Sequence, residues 1–261
     1  CNDFSFPWNS VNCYIMRLHR FFTALPIEEG KINYLPDPAI VHQVTRVLKL
    51  EPGDKTVFFD GSGKEYESEI VSLGKKTLEF RVLKTNKIKT HSPLKLSLTF
   101  SLIKKDNTEW IIQKCPELGV SEFIPLISDR SEKKGFNLER AQKICIEACE
   151  QLGRGDVPKI HESQTLAEFL NTERRKVIVF HTEGNNFERE NFLEISACVS
   201  FSSSDLDSSP ELVACIGPEG GWSERELKMF KEKNTSIVSL NTPILRAETA
   251  AVAISALLLI K

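Results

Sequence analysis

The chain has 261 residues, of which 41% are hydrophobic and 27% charged, and its formal net charge is -2. This length fits one large domain or two modest ones, and the composition is that of an ordinary globular protein with a buried core. The charge argues against a strongly basic nucleic-acid binder, although local basic patches, and not the average charge, are what bind phosphates.

The first predicted elements form a small β-rich region. Residues 1–15 precede the start-like segment Met16–Phe22 and lack the pattern of a signal peptide, so we interpret them as an N-terminal extension. Short β-rich runs separated by glycine-containing turns then predict antiparallel hairpins. In chain order the predictions are a helix over Asp37–Lys49, strands over Thr56–Phe59, Tyr66–Leu73 and Leu78–Leu83, and a polar linker over Thr85–Pro93.

The second half of the chain alternates apolar strand-like runs with helical patterns, which predicts an α/β domain with a largely parallel sheet. Gly119 is expected to cap one helix, and Ser223 with Glu226 forms a capping box for another. Ser200–Pro210 reads as a polar loop. The predicted strands are Leu94–Ile103, Phe123–Ile127, Val177–Phe180, Leu212–Ile216 and Ile237–Leu240, and the helices are Thr108–Leu118, Leu138–Leu152, Ser223–Lys233 and the segment from Ala247 onward.

Cysteine usage and hydropathy bear on compartment and metal binding. The seven cysteines are odd in number and irregularly spaced, which favours reduced, mostly buried thiols in a cytoplasmic protein. Cys145 and Cys149 lie four residues apart on a predicted helix, but no second Cys or His pair lies near them, so we predict core packing and no metal site. No segment approaches the roughly 18 apolar residues of a membrane helix, so we predict no membrane association.

A glycine-rich turn, Ile216–Trp222, joins a predicted buried strand to a helix. In open α/β sheets such turns lie at the carboxyl edge, where ligands bind, and glycines let the backbone approach a ligand closely. The segment matches neither a P-loop nor a G-x-G-x-x-G fingerprint, which disfavours a phosphate-binding nucleotide site. A simple tight connection between strand and helix explains the turn about as well.

A second strand-to-helix connection, Leu240–Ala250, places Arg246 and Glu248 at the mouth of an otherwise apolar helix. A surface ion pair with a helix cap is the ordinary explanation for such charges. The two connections together could form facing walls of one cleft, which is more specific than either alone.

These segments resemble a known family. Met16–Phe22, Lys114–Val120, Ala148–Arg154, Ile216–Gly221 and Leu245–Thr249 occur in the order seen in bacterial 16S rRNA (uracil-1498-N3)-methyltransferases of the SPOUT superfamily. The resemblance implies a PUA-like RNA-binding β-barrel over residues 16–88 and an α/β SPOUT methyltransferase domain with a C-terminal trefoil knot over residues 89–261. It also implies S-adenosylmethionine as cofactor, a homodimer, and 16S ribosomal RNA as substrate, within the small ribosomal subunit.

The roles of individual residues are hypotheses that build on this resemblance and on where the charged residues lie. Arg246 and Glu248 would be catalytic, Arg246 by stabilising charge on the uracil or gripping a phosphate, and Glu248 as a base or by orienting Arg246. Arg17, Arg20, Arg46 and Arg154 would contact RNA, although solvated or structurally paired arginines are an equal alternative. The segment Phe180–Glu183 would form a third wall of the cofactor site. The cofactor-binding residues would be Ile216, Gly217, Pro218, Glu219, Gly220, Gly221, Leu240, Asn241, Leu245, Arg246 and Thr249.

Three positions depart from the family pattern. Asn241 stands where glycine is common, and asparagine tolerates the left-handed backbone conformation that such a turn needs. Pro116 stands where a helix former is usual and is expected to kink its helix. Lys49 replaces a typical arginine, which weakens bidentate recognition there.

Two other functions fit part of the pattern. One is a non-catalytic RNA-binding protein that retains the fold. The other is an unrelated α/β enzyme whose glycine-rich turn binds a nucleotide phosphate. Binding of S-adenosylmethionine or ATP would separate them, and methyl transfer would separate both from a methyltransferase.

Overall fold

The computed structural model describes residues 18–88, 94–132, 135–187 and 210–260. The chain divides into two compact units. The first consists of Cys1–Phe58 and Tyr66–Thr85, and the second of Phe59–Glu65 and Asn86–Lys261.

The first unit is built on a five-stranded sheet of the described residues, in the order β1-β3-β4-β5-β2. Alternate residues of β4 are buried, as expected for a strand with one face on a core. Phe58 stacks on Phe80 with ring centroids 3.9 Å apart, and Phe21 lies beside Phe58. The strands are β1 (Arg20–Phe22), β2 (Ile32–Leu35), β3 (Lys55–Phe59), β4 (Lys64–Leu73) and β5 (Leu78–Lys87).

One helical segment packs against this core. Helix α1 (Pro38–His42) begins at Asp37, whose carboxylate accepts from the backbone N–H groups of Ala39 and Ile40, and it continues as a π-helical turn over Gln43–Val47. The helix predicted over Asp37–Lys49 is thus confirmed. The strands β1 and β2 escaped prediction because they are only three and four residues long. The linker predicted from Thr85 is wrong at its start, because β5 continues to Lys87, and its end lies outside the described residues.

The second unit contains a seven-stranded sheet of the described residues. Its order is β12-β10-β11-β6-β7-β8, with β9 beside β7, and every pairing recorded in it is parallel. The predicted α/β architecture with a parallel sheet is therefore confirmed. The strands are β6 (Lys95–Ser101), β7 (Glu122–Ile127), β8 (Lys159–Ile160), β9 (Gln164–Thr165), β10 (Lys176–Asn186), β11 (Glu211–Ile216) and β12 (Ser236–Ser239).

Five helices accompany this sheet in the described part of the chain: α2 (Lys105–Leu118), α3 (Leu138–Leu152), α4 (Leu166–Thr172), α5 (Glu224–Glu232) and α6 (Ala247–Leu259). Gly119 ends α2 with φ +105°, as predicted for a C-cap. Pro116 lies in the last turn of α2, and the helix continues past it to Leu118. Helix α4 was not predicted from the sequence, although Thr165 and Glu168 form a capping box that signals its start.

The central strands are buried on both faces, as parallel strands covered by helices must be. Leu96 and Leu98 of β6 and Val213 and Cys215 of β11 are completely buried. Cys145 and Cys149 are buried in α3, as predicted. Within the described ranges no cluster of three or more His, Cys, Asp or Glu is placed to hold a metal ion, and none of the helices combines the length and apolar character needed to cross a bilayer.

Candidate functional site

A cavity of about 370 Å³ lies in the second unit at the carboxyl edge of the parallel sheet. The bulged part of β10 and the loops after β11 and β12 form most of its wall, together with the start of α6 and one residue from the loop after β7. This is the position at which open α/β sheets bind ligands. The lining residues are Arg130, Phe180, His181, Thr182, Ile216–Trp222, Ser239, Leu240, Thr242–Leu245, Ala247, Ala250 and Ile254.

The glycine-rich loop after β11 needs its glycines for two different reasons. A Cβ on Gly217 would lie 3.2 Å from the indole Nε1 of Trp222, so this position has little room for a side chain. Gly221 has φ +68°, a conformation that favours glycine, and its N–H donates to the carbonyl of Pro218 at 2.8 Å. Trp222 itself is 2% exposed and packs edge-on against Phe230. The loop is therefore a tight turn seated on a buried indole.

The capping box of α5 ties this loop to a more distant segment. Ser223 Oγ accepts from the N–H of Glu226 at 3.2 Å, and the Glu226 carboxylate accepts from the N–H of Ser223 at 2.8 Å, as predicted. The other Glu226 oxygen accepts from the N–H of Asp129 at 2.9 Å. Hydrogen bonds from Arg225 and Ser223 lower the pKa of Asp129 below its ordinary value, so this carboxylate stays ionised beside the loop.

The loop between β12 and α6 forms the opposite wall. Asn241 has φ +51°, so the left-handed conformation expected for this asparagine is observed. Leu240 and Leu245, which were predicted to bind the cofactor, line the cavity, and so do Pro243 and the highly exposed Ile244.

The strand β10 supplies the third wall through an irregularity. Phe180 and Asn185 are both in register with Val238 of β12, so residues 181–184 bulge from the ladder. A Cβ on Gly184 would lie 2.4 Å from the backbone of Val238, so only glycine fits there. Phe180, His181 and Thr182 line the cavity, in agreement with the third wall proposed from sequence, whereas Glu183 does not.

The predicted catalytic residues lie at the start of α6 but do not line this cavity. Arg246 is the exposed N-cap residue and makes no side-chain capping bond within the described structure. Glu248 is half-buried, and its Oε2 is shielded from solvent with no hydrogen-bond partner among the described residues. Asn241 and Thr249 are also absent from the lining. The catalytic roles and all the predicted cofactor contacts stay predictions.

Arg130 lines the cavity from a segment that was not predicted to belong to the site. Its Nη1 donates to the carbonyl of Gly220 at 2.6 Å. The hydrogen bond joins residues 90 positions apart. No local pattern around Arg130 signals such a contact, because it depends on where β7 and β11 lie in the sheet.

Residues 90–259 match the sequence model of a family described as an RNA methyltransferase domain, and residues 35–83 match that of an RNA methyltransferase PUA domain. The chain belongs to this RNA methyltransferase family. Its α/β SPOUT-type fold with a PUA-like N-terminal domain agrees with the fold class predicted from sequence. The trefoil knot stays a prediction of the resemblance.

Individual relatives agree with this assignment. The chain is 32% identical over 238 residues to the ribosomal RNA small subunit methyltransferase E of Rickettsia conorii, covering 91% of this chain and 93% of that protein. It is 32% identical over 219 residues to the enzyme of the same name from Bacillus subtilis, covering 80% and 83%. The Neisseria gonorrhoeae methyltransferase E, solved bound to S-adenosyl methionine, superposes with a TM-score of 0.78 at 30% identity, covering 92% of this chain and 95% of that one.

The arginines predicted to contact RNA lie in different settings in this methyltransferase. Arg17 lies outside the described residues, Arg20 is half-buried in β1 and Arg46 is exposed after α1. Arg154 donates twice to Asp156, at 2.9 and 2.7 Å, and to the carbonyls of Pro116 and Val120 at 3.0 and 2.8 Å. This geometry gives Arg154 a structural role at the end of α2. RNA contacts by the four arginines stay predictions.

Proposed function

We propose that this chain binds S-adenosylmethionine in the cavity at the carboxyl edge of the sheet and transfers its methyl group to N3 of a uridine in 16S ribosomal RNA, of the U1498 class. The observation that carries the proposal is the cavity itself, which the bulge of β10 and two loops enclose at the ligand-binding edge of an RNA methyltransferase fold. A relative with the same fold holds S-adenosyl methionine.

The residues of the cavity fit this cofactor. A volume of about 370 Å³ lies within the range of small-molecule pockets, and the wall is largely apolar with a few polar groups. Gly217 has little room for a side chain beside Trp222, and Gly221 adopts the positive φ that favours glycine, so both glycines support the conformation of the loop that lines the cavity. Ile216–Gly221, Leu240 and Leu245 would hold the cofactor, which supplies a methyl group already activated for transfer.

The chain must then position the uracil and accommodate the proton of its N3. Positioning the reacting atoms in line lowers the barrier by itself. Arg246, a cation at the start of α6, would stabilise the negative charge that develops on the uracil or grip a nearby phosphate. Glu248 has a carboxylate oxygen without a partner among the described residues, which suits either a base or an orienting group for Arg246.

The wider setting belongs to the same proposal. Residues 16–88 would act as the RNA-binding PUA-like domain, with Arg17, Arg20 and Arg46 as contacts, and residues 89–261 as the methyltransferase domain after an extension over residues 1–15. Arg154 would contact RNA only if it gave up part of its bonding to Asp156. The protein would work as a cytoplasmic homodimer on the small ribosomal subunit.

The deciding experiment is methyl transfer from labelled S-adenosylmethionine to undermethylated small ribosomal subunits, with naked 16S RNA in parallel, followed by mapping of the modified nucleotide. We expect label at N3 of one uridine. Cofactor binding without methyl incorporation into either substrate would contradict the proposed methyltransferase activity and favour a non-catalytic RNA-binding protein. Calorimetry that shows binding of ATP and not of S-adenosylmethionine would contradict the cofactor assignment.

A further inference from the structure

Arg130 reaches the wall of the cofactor cavity from outside the β10 bulge and the two loops that form most of it. It lies in the loop after β7, and its Nη1 donates to the carbonyl of Gly220 at 2.6 Å and lies 3.5 Å from the carbonyl of Trp222. These two carbonyls flank Gly221, the residue with φ +68°. The guanidinium thus bridges the carbonyls on either side of Gly221, the residue with the most unusual backbone conformation in the turn.

The loop that carries Arg130 is itself fixed. The N–H of Ser128 donates to Ser131 Oγ at 3.0 Å, and the N–H of Ser131 returns to the carbonyl of Ser128 at 3.2 Å. Between them, Asp129 receives a hydrogen bond from Ser223 Oγ at 2.6 Å, and its N–H donates to buried Glu226 at 2.9 Å. The arginine therefore projects from a closed turn that is anchored on the first turn of α5.

The contact between Arg130 and Gly220 also restricts which side chain can stand at position 220. A Cβ at this position would lie 3.3 Å from Cδ of Arg130, which is tighter than ordinary van der Waals contact, and 3.5 Å from its Cβ, which is an ordinary contact. Gly220 is not among the residues with positive φ, so its backbone conformation is open to other residues. The aliphatic stem of Arg130 is what leaves this position little room for a side chain.

We propose that Arg130 is a positioning residue for the cofactor. By holding the carbonyls of Gly220 and Trp222, it keeps the glycine-rich loop in the conformation that lines the cavity, and so sets the affinity for S-adenosylmethionine. Without it the two-glycine turn gains backbone freedom, and the entropy lost on ordering the turn opposes binding. The inference rests on the proposed function, because it takes S-adenosylmethionine as the ligand.

The test measures the dissociation constant for S-adenosylmethionine by calorimetry and the thermal midpoint Tm, on full-length Arg130→Ala, Arg130→Lys and Gly220→Ala. We expect Arg130→Ala to weaken binding by about tenfold or more, the usual effect of losing a charge-assisted hydrogen bond. Arg130→Lys should recover part of this loss, because an ammonium can still donate to Gly220. Gly220→Ala should weaken binding with Arg130 in place, by displacing its stem.

Arg140→Ala is the matched control. Arg140 also forms two hydrogen bonds with a partner that is distant in the sequence, the Glu109 carboxylate, but it does not line the cavity. We expect its dissociation constant to stay within about twofold of the wild-type value, since only a surface ion pair is lost.

Folded Arg130→Ala protein with wild-type cofactor affinity would overturn the inference. If Arg130→Ala does not fold, Gly220→Ala decides, and unchanged affinity in that variant overturns the inference as well. A wild-type chain that binds no S-adenosylmethionine would overturn the proposed function and this inference together, whereas normal wild-type binding with unaffected variants overturns the inference alone.

Discussion

Glu226 is 1% exposed, and each of its carboxylate oxygens accepts a backbone N–H, one from Ser223 at 2.8 Å and one from Asp129 at 2.9 Å. One side chain thus caps α5 and fastens the loop after β7. A buried carboxylate is tolerable only when its oxygens are satisfied in this way, and removing the Glu226 side chain takes the acceptor from two backbone donors.

Glu226→Ala is therefore expected to lower the free energy of unfolding by about 1–3 kcal/mol, the cost of two backbone donors that lose their acceptor together with a lost cap. Urea denaturation of the purified variant measures this loss. Glu224→Ala is the control, because Glu224 is an exposed neighbour in the same helical turn. Equal stabilities for the two variants would show that the buried hydrogen bonds contribute nothing.

Arg246 gives the prediction that bears on chemistry. If it stabilises charge in the transition state, Arg246→Ala should lower the methylation rate at saturating RNA and cofactor by about 100-fold, as for the loss of one such donor elsewhere. Single-turnover kinetics with labelled cofactor measures the rate. A normal rate combined with a raised KM for RNA would assign Arg246 to phosphate binding and remove it from catalysis.

The strands and helices bring together side chains at both edges of the parallel sheet. At the amino edge, Glu122 of β7 accepts from Ser97 of β6 and from Arg175, which precedes β10, each at 2.5 Å, and contacts His161 after β8. Burial by itself would raise the pKa of Glu122, but these hydrogen bonds hold it at about 2. Four separate elements are therefore joined through one ionised carboxylate.

A depressed pKa gives this contact a definite pH dependence. The Glu122 carboxylate titrates near 4.5 when unperturbed and near 2 in the folded chain, so its contribution is complete above about pH 4.5 and is lost as the pH falls toward 2. We expect Glu122→Gln to be less stable than wild type at pH 7, with the difference shrinking through this window. Urea midpoints of both proteins from pH 7 to pH 2.5 test it, and a constant difference would contradict the assignment.

At the carboxyl edge, the bulge of β10 depends on Gly184. Because a Cβ there would lie 2.4 Å from the backbone of Val238, Gly184→Ala must push β10 and β12 apart. We expect a loss of about 1–3 kcal/mol in stability, as for overpacking a core, and weaker cofactor binding because the third wall shifts. Gly135→Ala, where a Cβ meets nothing within 4 Å, is the control for thermal melts and calorimetry.

At the scale of the whole molecule, the proposed division of labour assigns RNA binding largely to the first unit and cofactor binding to the second. The double variant Arg17→Ala/Arg20→Ala should then weaken RNA binding and flatten the plot of log affinity against log salt by up to about 1.5, while cofactor affinity stays normal. Filter binding across KCl concentrations measures the slope, and circular dichroism checks the fold. An unaltered slope would remove both arginines from the RNA-binding surface.

Much of the architecture was predictable because its signals are local. Helix caps at Gly119 and Ser223, the left-handed Asn241 and the period of the parallel strands depend on residues a few positions apart. The glycine-rich loop and parts of its facing loop were recognisable as a site for the same reason. Short strands such as β1 and β8 carry too few residues to show a period.

Sequence alone thus determined the family resemblance, most secondary structure, and two of the three cavity walls with the outline of the third. The tertiary structure alone decided which charged groups belong to the site. It placed Arg130 in the cavity wall, left Arg246 and Glu248 outside the lining, and engaged Arg154 with Asp156 and two carbonyls. The physical reason is range: caps and strands form between neighbours in the chain, whereas Arg130 bonds to Gly220, 90 positions away, and Arg154 to Pro116, 38 positions away, and only the tertiary fold brings such residues together.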